Sequence, residues 1–543
     1  MLTRRQLLLS AASAPLLAQQ TLHNGIVLPA DWPPSRQSLE YKPMPVPYLE
    51  QPPSLIPIDL GRQLFVDDFL IEQSTLRRVF HQPSYHPASP VLKPDRPWET
   101  TAQGSASMVF SDGVWFDPQD QLFKLWYMAG YWGPLAYACS RDGIHWDKPK
   151  LDVKPGTNIV LDIPRGSTTV WLDHNEPNPA RRFKLFRQMG GERPPRFALH
   201  YSPDGIHWSG VAALSGTAKD RSTLFYNPFR RKWVFSLKDD NADQRMRLYW
   251  ESDNLEDGFF WTKRTTPVWV GADPLDPQRP DLKRRAELYN LDAVAYEGLL
   301  LGLFSIWKGQ PTDRPKPNQV MAGFSRDGFH WHRPCRDALL PVSERQGDWN
   351  WGNVQSAGGC VLVVRDKLYF YASGRAGVPG TKQDGVCTTG LAILRRDGFA
   401  SLRAGASGGV LTTRLLRFSG SQLFVNLEAP NGELRVEILD AEGNIAAGCS
   451  RAHCIPLRGD STLLQVRWQG VNDLSRLHGL PLRFRFHLVN GGLYSFWVSP
   501  DSSGASRGYV GAGGPGFQGP MDFAGKAALG LSVDRSSSSD QAN

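Results

Sequence analysis

At 543 residues the chain is too long for one hydrophobic core and asks for two or more domains. The formal net charge of +8 comes from scattered Lys and Arg, with no basic run and no nucleic-acid motif, which argues against a DNA or RNA partner. Six cysteines without a Cys-x-x-Cys pair argue against a disulfide scaffold, a zinc site or a redox site, although Cys449 and Cys454 are spaced to pair across a hairpin.

In chain order, residues 1–18 read as an export signal. Thr3-Arg4-Arg5-Gln6-Leu7-Leu8 has the twin-arginine pattern, and small and apolar residues follow to Ala18. A periplasmic or extracellular location is therefore expected, and no later apolar run is long enough to span a bilayer. Residues 19–60 are proline-rich and aperiodic, an extended arm. Residues 61–404 alternate apolar and polar positions between Asp-Gly and Asn/Asp-Pro turns, the pattern of an all-β domain. Strand-like segments continue over 405–500, with Asn431-Gly432 and Glu442-Gly443 as hairpin turns, and predict a β-sandwich. The Gly- and Ser-rich tail, 501–543, is expected to be disordered.

One phrase recurs through the middle region. Ser140-Arg-Asp142-Gly143-Ile-His-Trp146 returns as Ser202-Pro-Asp204-Gly205-Ile-His-Trp208 and as Ser325-Arg-Asp327-Gly328-Phe-His-Trp331. Worn copies stand at Asp257-Gly258 and Asp397-Gly398. A repeat of roughly 50–70 residues marks one sheet per copy, hence a five-bladed β-propeller followed by the sandwich. The repeated turn itself is read as structural, because Asp and Gly suit a tight turn and Trp packs beneath it.

A five-bladed propeller with Ser-x-Asp-Gly-x-x-Trp turns, followed by a β-sandwich, resembles the arabinanase, levansucrase and invertase superfamily, which includes glycoside hydrolase families 43 and 32. The Leu64-Phe-Val-Asp-Asp68 opening and the Trp349-Asn-Trp-Gly-Asn353 segment resemble secreted bacterial proteins described as family 32-like. The resemblance implies a carbohydrate substrate. The Asn-Asp-Pro-Asn-Gly signature of invertases is absent, so no catalytic residue is carried over by motif.

Glycoside hydrolysis asks for two carboxyl groups across the scissile bond. In a propeller the leading ends of the innermost strands converge on a funnel. Aligned on those ends, the blades offer Glu99, Asp220, Glu287 and Asp348, with Asp67, Asp68 and Glu297 in reserve. Glu287 is expected to act as general acid beside an apolar strand, Asp220 or Glu99 as base or nucleophile, and Asp348 as an orienting group. Arg221 and Arg375 are candidate donors to hydroxyls or a sugar carboxylate, Trp349 and Trp351 candidate stacking platforms, and Asn353 a further binding residue. No catalytic metal or cofactor is expected, and a structural calcium ion is left open. Two other readings stand beside the glycosidase: a carbohydrate-binding propeller without catalysis, and a sialidase-like enzyme using Arg165, Arg221 and Arg375. The oligomeric state is not legible.

Overall fold

The computed structural model describes residues 19–164, 166–190, 195–262, 266–377 and 386–531. The export signal and Arg165 lie outside the described residues.

Five antiparallel sheets surround one axis. Blade I runs outward from an interrupted inner strand, Ser107–Met108 and Val114–Asp117, through Leu122–Ala129 and Leu135–Ser140 to Ile159–Leu161. Blade II is Thr168–Leu172, Phe183–Gln188, Arg196–Ser202 and Ala213–Thr217. Blade III is Thr223–Asn227, Lys232–Asp240, Arg245–Ser252 and Val268–Gly271. Blade IV is Glu287–Glu297, Leu299–Trp307 and Gln319–Ser325, with bridges to Leu340 and His332 as its outer edge. Blade V has Gly352–Ser356 and Leu362–Val364 inside, then Lys367–Arg375 and Cys387–Arg395. Its outer strand, Ser84–Tyr85, arrives from the amino-terminal side and closes the ring.

The inner edges are bonded to one another all the way round. Val170 N–H donates to Asp112 O between blades II and I, Arg221 N–H to Ser167 Oγ between III and II, and Thr223 Oγ1 to Leu291 O between III and IV. Val354 N–H donates to Asn318 O between V and IV, and Ser111 N–H to Ser356 O between I and V. Buried aromatics fill the spaces between blades, among them Trp115, Trp126, Phe186, Trp269 and Phe370. Closing the ring leaves only short edges to protect.

The repeated phrase is the turn before the outermost strand, and its three full copies share one set of bonds. Asp142 Oδ1 accepts from the Ile144 and His145 N–H groups, and Oδ2 faces His145 Nδ1 at 2.7 Å. Asp204 and Asp327 repeat this arrangement. The turn also clasps the preceding blade: Trp126 Nε1 of blade I donates to Gly205 O at 2.7 Å. A side chain on Gly205, at φ +82°, would put its Cβ 2.4 Å from the Trp126 ring, so glycine is required there.

The carboxy-terminal sheets hold Ala400–Ala404, Gly409–Thr413, Gln422–Leu439, Leu457–Gln465, Arg483–Val489 and Gly491–Ser499 around a separate apolar core. Three expectations change here. Strands Gln63–Leu64, Ile71–Ser74 and Arg77–Phe80, assigned by sequence to the propeller, pair instead with 491–499, 409–413 and 400–404. Asn431-Gly432 is not a hairpin turn: it lies within the continuous 18-residue strand Gln422–Leu439, where Gly432 lets the backbone approach Val489 O. Cys449 and Cys454 are separate thiols.

The fourth change concerns the tail. Residues 501–531 are ordered, and 532–543 lie outside the described residues. Tyr509–Val510 adds to the innermost strand of blade IV, and the next residues cross the end of the channel. Ala512 bonds Val361 and Phe116, and Gly513 O accepts from Val363 N–H. A Cβ on Gly514 would sit 1.7 Å from Val363 O. These glycines permit close backbone approach, a need that composition alone does not separate from disorder.

Candidate active site

With one end of the channel crossed by the tail, the funnel is read from the other, where the inner strands begin. Its floor is polar. Asp292, fully enclosed in blade IV, accepts from Ser111 Oγ at 3.0 Å, Ser356 Oγ at 2.5 Å and Asn290 Nδ2 at 2.9 Å. Burial raises its pKa above the usual carboxylate value against the pull of Arg221 and Arg247. Arg221 donates to Phe110 O at 2.7 Å and Ser111 Oγ at 2.9 Å. Arg247 donates to Arg221 O, Tyr289 O and Asn290 Oδ1. Ser111 of blade I and Ser356 of blade V thus meet on the blade IV carboxylate, within the electrostatic reach of Arg221 and Arg247 of blade III.

Above this floor, between blades III and IV, a cavity of about 740 Å³ opens to solvent. Asp220, Lys238, Asp240, Arg245 and Glu287 are among its lining residues. Asp220 precedes the inner strand of blade III, and Glu287 begins that of blade IV. Asp220 Oδ1 accepts from Lys238 Nζ at 2.5 Å. Burial alone would raise the Asp220 pKa, but the Lys238 charge and hydrogen bond, aided by Arg221 and Arg247, outweigh it and hold the carboxyl below its usual range. Glu287 Oε2 accepts from the Arg245 N–H at 3.1 Å and its guanidinium at 2.8 Å. The expected apolar flank of Glu287 is not what surrounds it; Arg245 does, stacked over Trp307 at 4.4 Å.

The other two predicted carboxylates do not line this cavity. Glu99 falls in a 3-10 turn before a short hairpin, upstream of the true start of blade I. Its side chain is fully buried and fully engaged: Oε2 accepts from the Asp95 and Arg96 N–H groups, and Oε1 from Tyr127 Oη at 2.7 Å and Lys148 at 2.6 Å. Asp348 lies on the loop before blade V and accepts from Ser343 Oγ and Arg345. Of the reserves, Asp67 is paired with buried Arg326, Asp68 with Arg78, and Glu297 lies at the opposite end of the inner strand from Glu287.

The binding candidates divide similarly. Arg221 is a floor residue whose two terminal nitrogens donate to Phe110 O and Ser111 Oγ. Trp351 is buried beneath Arg314. Trp349 packs its ring over Gly374 and Gly390 and meets Tyr85 edge-on, so it supports blade V. Asn353 and Arg375 are buried neighbours, and Arg375 also reaches Tyr131 Oη at 3.2 Å.

Several residues were not singled out from sequence. Trp132, beside Tyr131, exposes 46% of its surface at φ +57° and is an exposed aromatic near Arg375. Tyr289 is the extra residue of a β-bulge between Glu287–Glu297 and its neighbour. A bulge re-aims one side chain, and the sequence carries no mark of it. Lys316 Nζ lies 3.2 Å from the Tyr289 hydroxyl. Only its setting between Pro315 and Pro317 hinted at a fixed position. Among the described residues, no group of three or more His, Cys, Asp or Glu is arranged to hold a metal ion.

No protein-family model matches the chain, and no curated protein does. Among solved structures, it is similar to a putative glycoside hydrolase from Parabacteroides distasonis, at 18% identity over 58% of this chain and 96% of that one, with a TM-score of 0.37. A fructofuranosidase from Schwanniomyces occidentalis gives 11% identity over 75% and 96%, with a TM-score of 0.35. An exo-β-1,3-galactanase from Phanerochaete chrysosporium gives 10% over 74% and 99%, with a TM-score of 0.34. Scores at this level do not assign an activity to this chain.

Proposed function

We propose that the protein is an exported glycoside hydrolase acting on a plant or microbial oligo- or polysaccharide. The observation that carries this reading is the shared cavity of Asp220 and Glu287, two carboxylates brought together from adjacent blades beside the funnel. In this reading Asp220, kept ionised by Lys238, serves as base or nucleophile, and Glu287 delivers the proton to the leaving oxygen. The C–O bond breaks as water or Asp220 adds to the anomeric carbon, through an oxocarbenium-like transition state. Trp132 offers an aromatic face for a sugar ring. Both carboxylates are ion-paired, and this favours the second reading, a carbohydrate-binding propeller without catalysis.

Hydrolysis of a panel of aryl glycosides and polysaccharides separates the two. On the substrate that wild type cleaves, Asp220→Asn and Glu287→Gln are each expected to lower kcat by about 10²–10⁴-fold with the thermal transition retained. Unchanged turnover in both variants would overturn the assignment. Binding without turnover by wild type selects the second reading.

A further inference from the structure

The charges around Tyr289 do not balance. Its ring lies 4.9 Å from Lys316 Nζ, 5.4 Å from Lys238 Nζ and 5.9 Å from the Arg245 guanidinium. Lys238 is matched by Asp220, and Arg245 by Glu287. Arg221 and Arg247 share Asp292 beneath. Lys316 has no such match: among the described residues no carboxylate lies within 4 Å of its ammonium, and its side-chain hydrogen bond is to the Tyr289 hydroxyl. The phenol registers the surplus. Burial would raise the Tyr289 pKa, yet Lys316, Lys238 and Arg221 together bring it below the usual tyrosine value.

Lys316 is also held in place. Pro315 and Pro317 restrict its backbone, and its carbonyl accepts from the Asn318 and Asn353 N–H groups, tying it to the start of blade V. A partly buried ammonium on a fixed backbone, lacking a carboxylate, is an arrangement that a ligand's negative charge completes.

Resting on the carbohydrate reading above, we propose that Lys316 and the Tyr289 hydroxyl form a subsite for the anionic group of an acidic glycan, a uronate carboxylate or a sulfate ester. The ammonium supplies the charge and the phenol a directional hydrogen bond. The bulge at Tyr289 serves to bring that hydroxyl to the lysine. Glu287, two residues away on the same strand, places this subsite next to the proposed reacting centre.

Calorimetric titration of the whole protein tests the subsite without requiring turnover. The probes are uronic-acid oligosaccharides, sulfated oligosaccharides, their neutral counterparts and inorganic phosphate. At least one acidic class is expected to bind about tenfold or more tightly than its neutral counterpart, with the advantage shrinking as salt is added. Lys316→Met should remove that advantage, Lys316→Arg should retain most of it, and Tyr289→Phe should reduce it in part. Equal affinity for acidic and neutral probes, an acidic preference untouched by Lys316→Met, or binding of phosphate without either acidic glycan would each overturn the proposal. Because Glu287→Gln protein shows the same preference if the subsite exists, a failure of hydrolysis is distinguishable from a failure of this subsite.

Discussion

Two clusters of basic and acidic side chains sit at opposite ends of the same blade IV strand. At the start, Asp220 and Glu287 each pair with one cation on the wall of a solvent-filled cavity. At the end, Glu297, Asp397 and Asp522 meet Arg62 and Arg396 in a seam between the propeller and the carboxy-terminal sheets, all five side chains fully buried. Tyr296, Ser495 and Asn426 donate further hydrogen bonds to Asp397, and Arg62 stacks over Trp497 at 4.0 Å. Both pair carboxylates with cations, but the seam is sealed from solvent and the mouth is open to it. Carboxylates bonded on both oxygens in a dry interior hold domains together; carboxylates that keep a solvent-facing side remain accessible to a ligand.

The largest effect is expected at the seam. Arg396→Ala strands Glu297 and Asp522 without their shared partner and should cost about 3–5 kcal/mol, read as a lowered midpoint in chemical denaturation. An unchanged midpoint would show that the seam is not a structural joint. Next is Gly205→Ala, which forces a side chain against Trp126 at a left-handed φ and should cost about 1–3 kcal/mol, visible in the same assay. Glu99→Gln sharpens the contrast from the catalytic side. It weakens the buried bond to Lys148, so stability should fall, while kcat on the substrate lost to Glu287→Gln should change less than about threefold. A kcat loss as deep as that of Glu287→Gln would return Glu99 to the site.

The smallest effect is in pH dependence, where the two ends have opposite signs. Burial raises the Glu297 pKa in the folded protein, against the charges of Arg396 and Arg62. Its contribution is complete below the unfolded value near 4.5 and is lost as pH rises through the folded one. Asp220 is depressed, so its contribution is present above about 3.8 and is lost as pH falls. Denaturation midpoints measured across pH should therefore flatten on the alkaline side in Glu297→Gln and on the acidic side in Asp220→Asn. The same sign in both variants would contradict the contrast.

The sequence discloses periodic features and conceals long-range ones. The Asp-Gly-x-x-Trp turns end the third strand in blades I, II and IV, so counting forward from the blade II turn and back from the blade IV turn brackets the inner strands of blades III and IV, and with them Asp220 and Glu287. Blade I defeats this count, because a hairpin at 100–105 intervenes between Glu99 and the inner strand. Alternation marks 61–404 as all-β but does not show that the strand Ile71–Ser74 joins the carboxy-terminal sheets, a matter of partners more than 300 residues away. A bulge such as that at Tyr289, a lysine placed by its proline neighbours and a glycine required by a carbonyl opposite all depend on the assembled backbone. The mouth was consequently half legible, and the seam not at all.

The crossing of the channel by Tyr509–Gly514 has a consequence for biosynthesis. Blades I, IV and V all bond to this segment, and it is made after every one of them. When the fifth blade is finished the ring can close on Ser84–Tyr85 but still lacks this clasp, which forms only when these later residues clear the exit tunnel. Maturation is thus tied to synthesis past Gly514, and a chain terminated before it lacks the clasp.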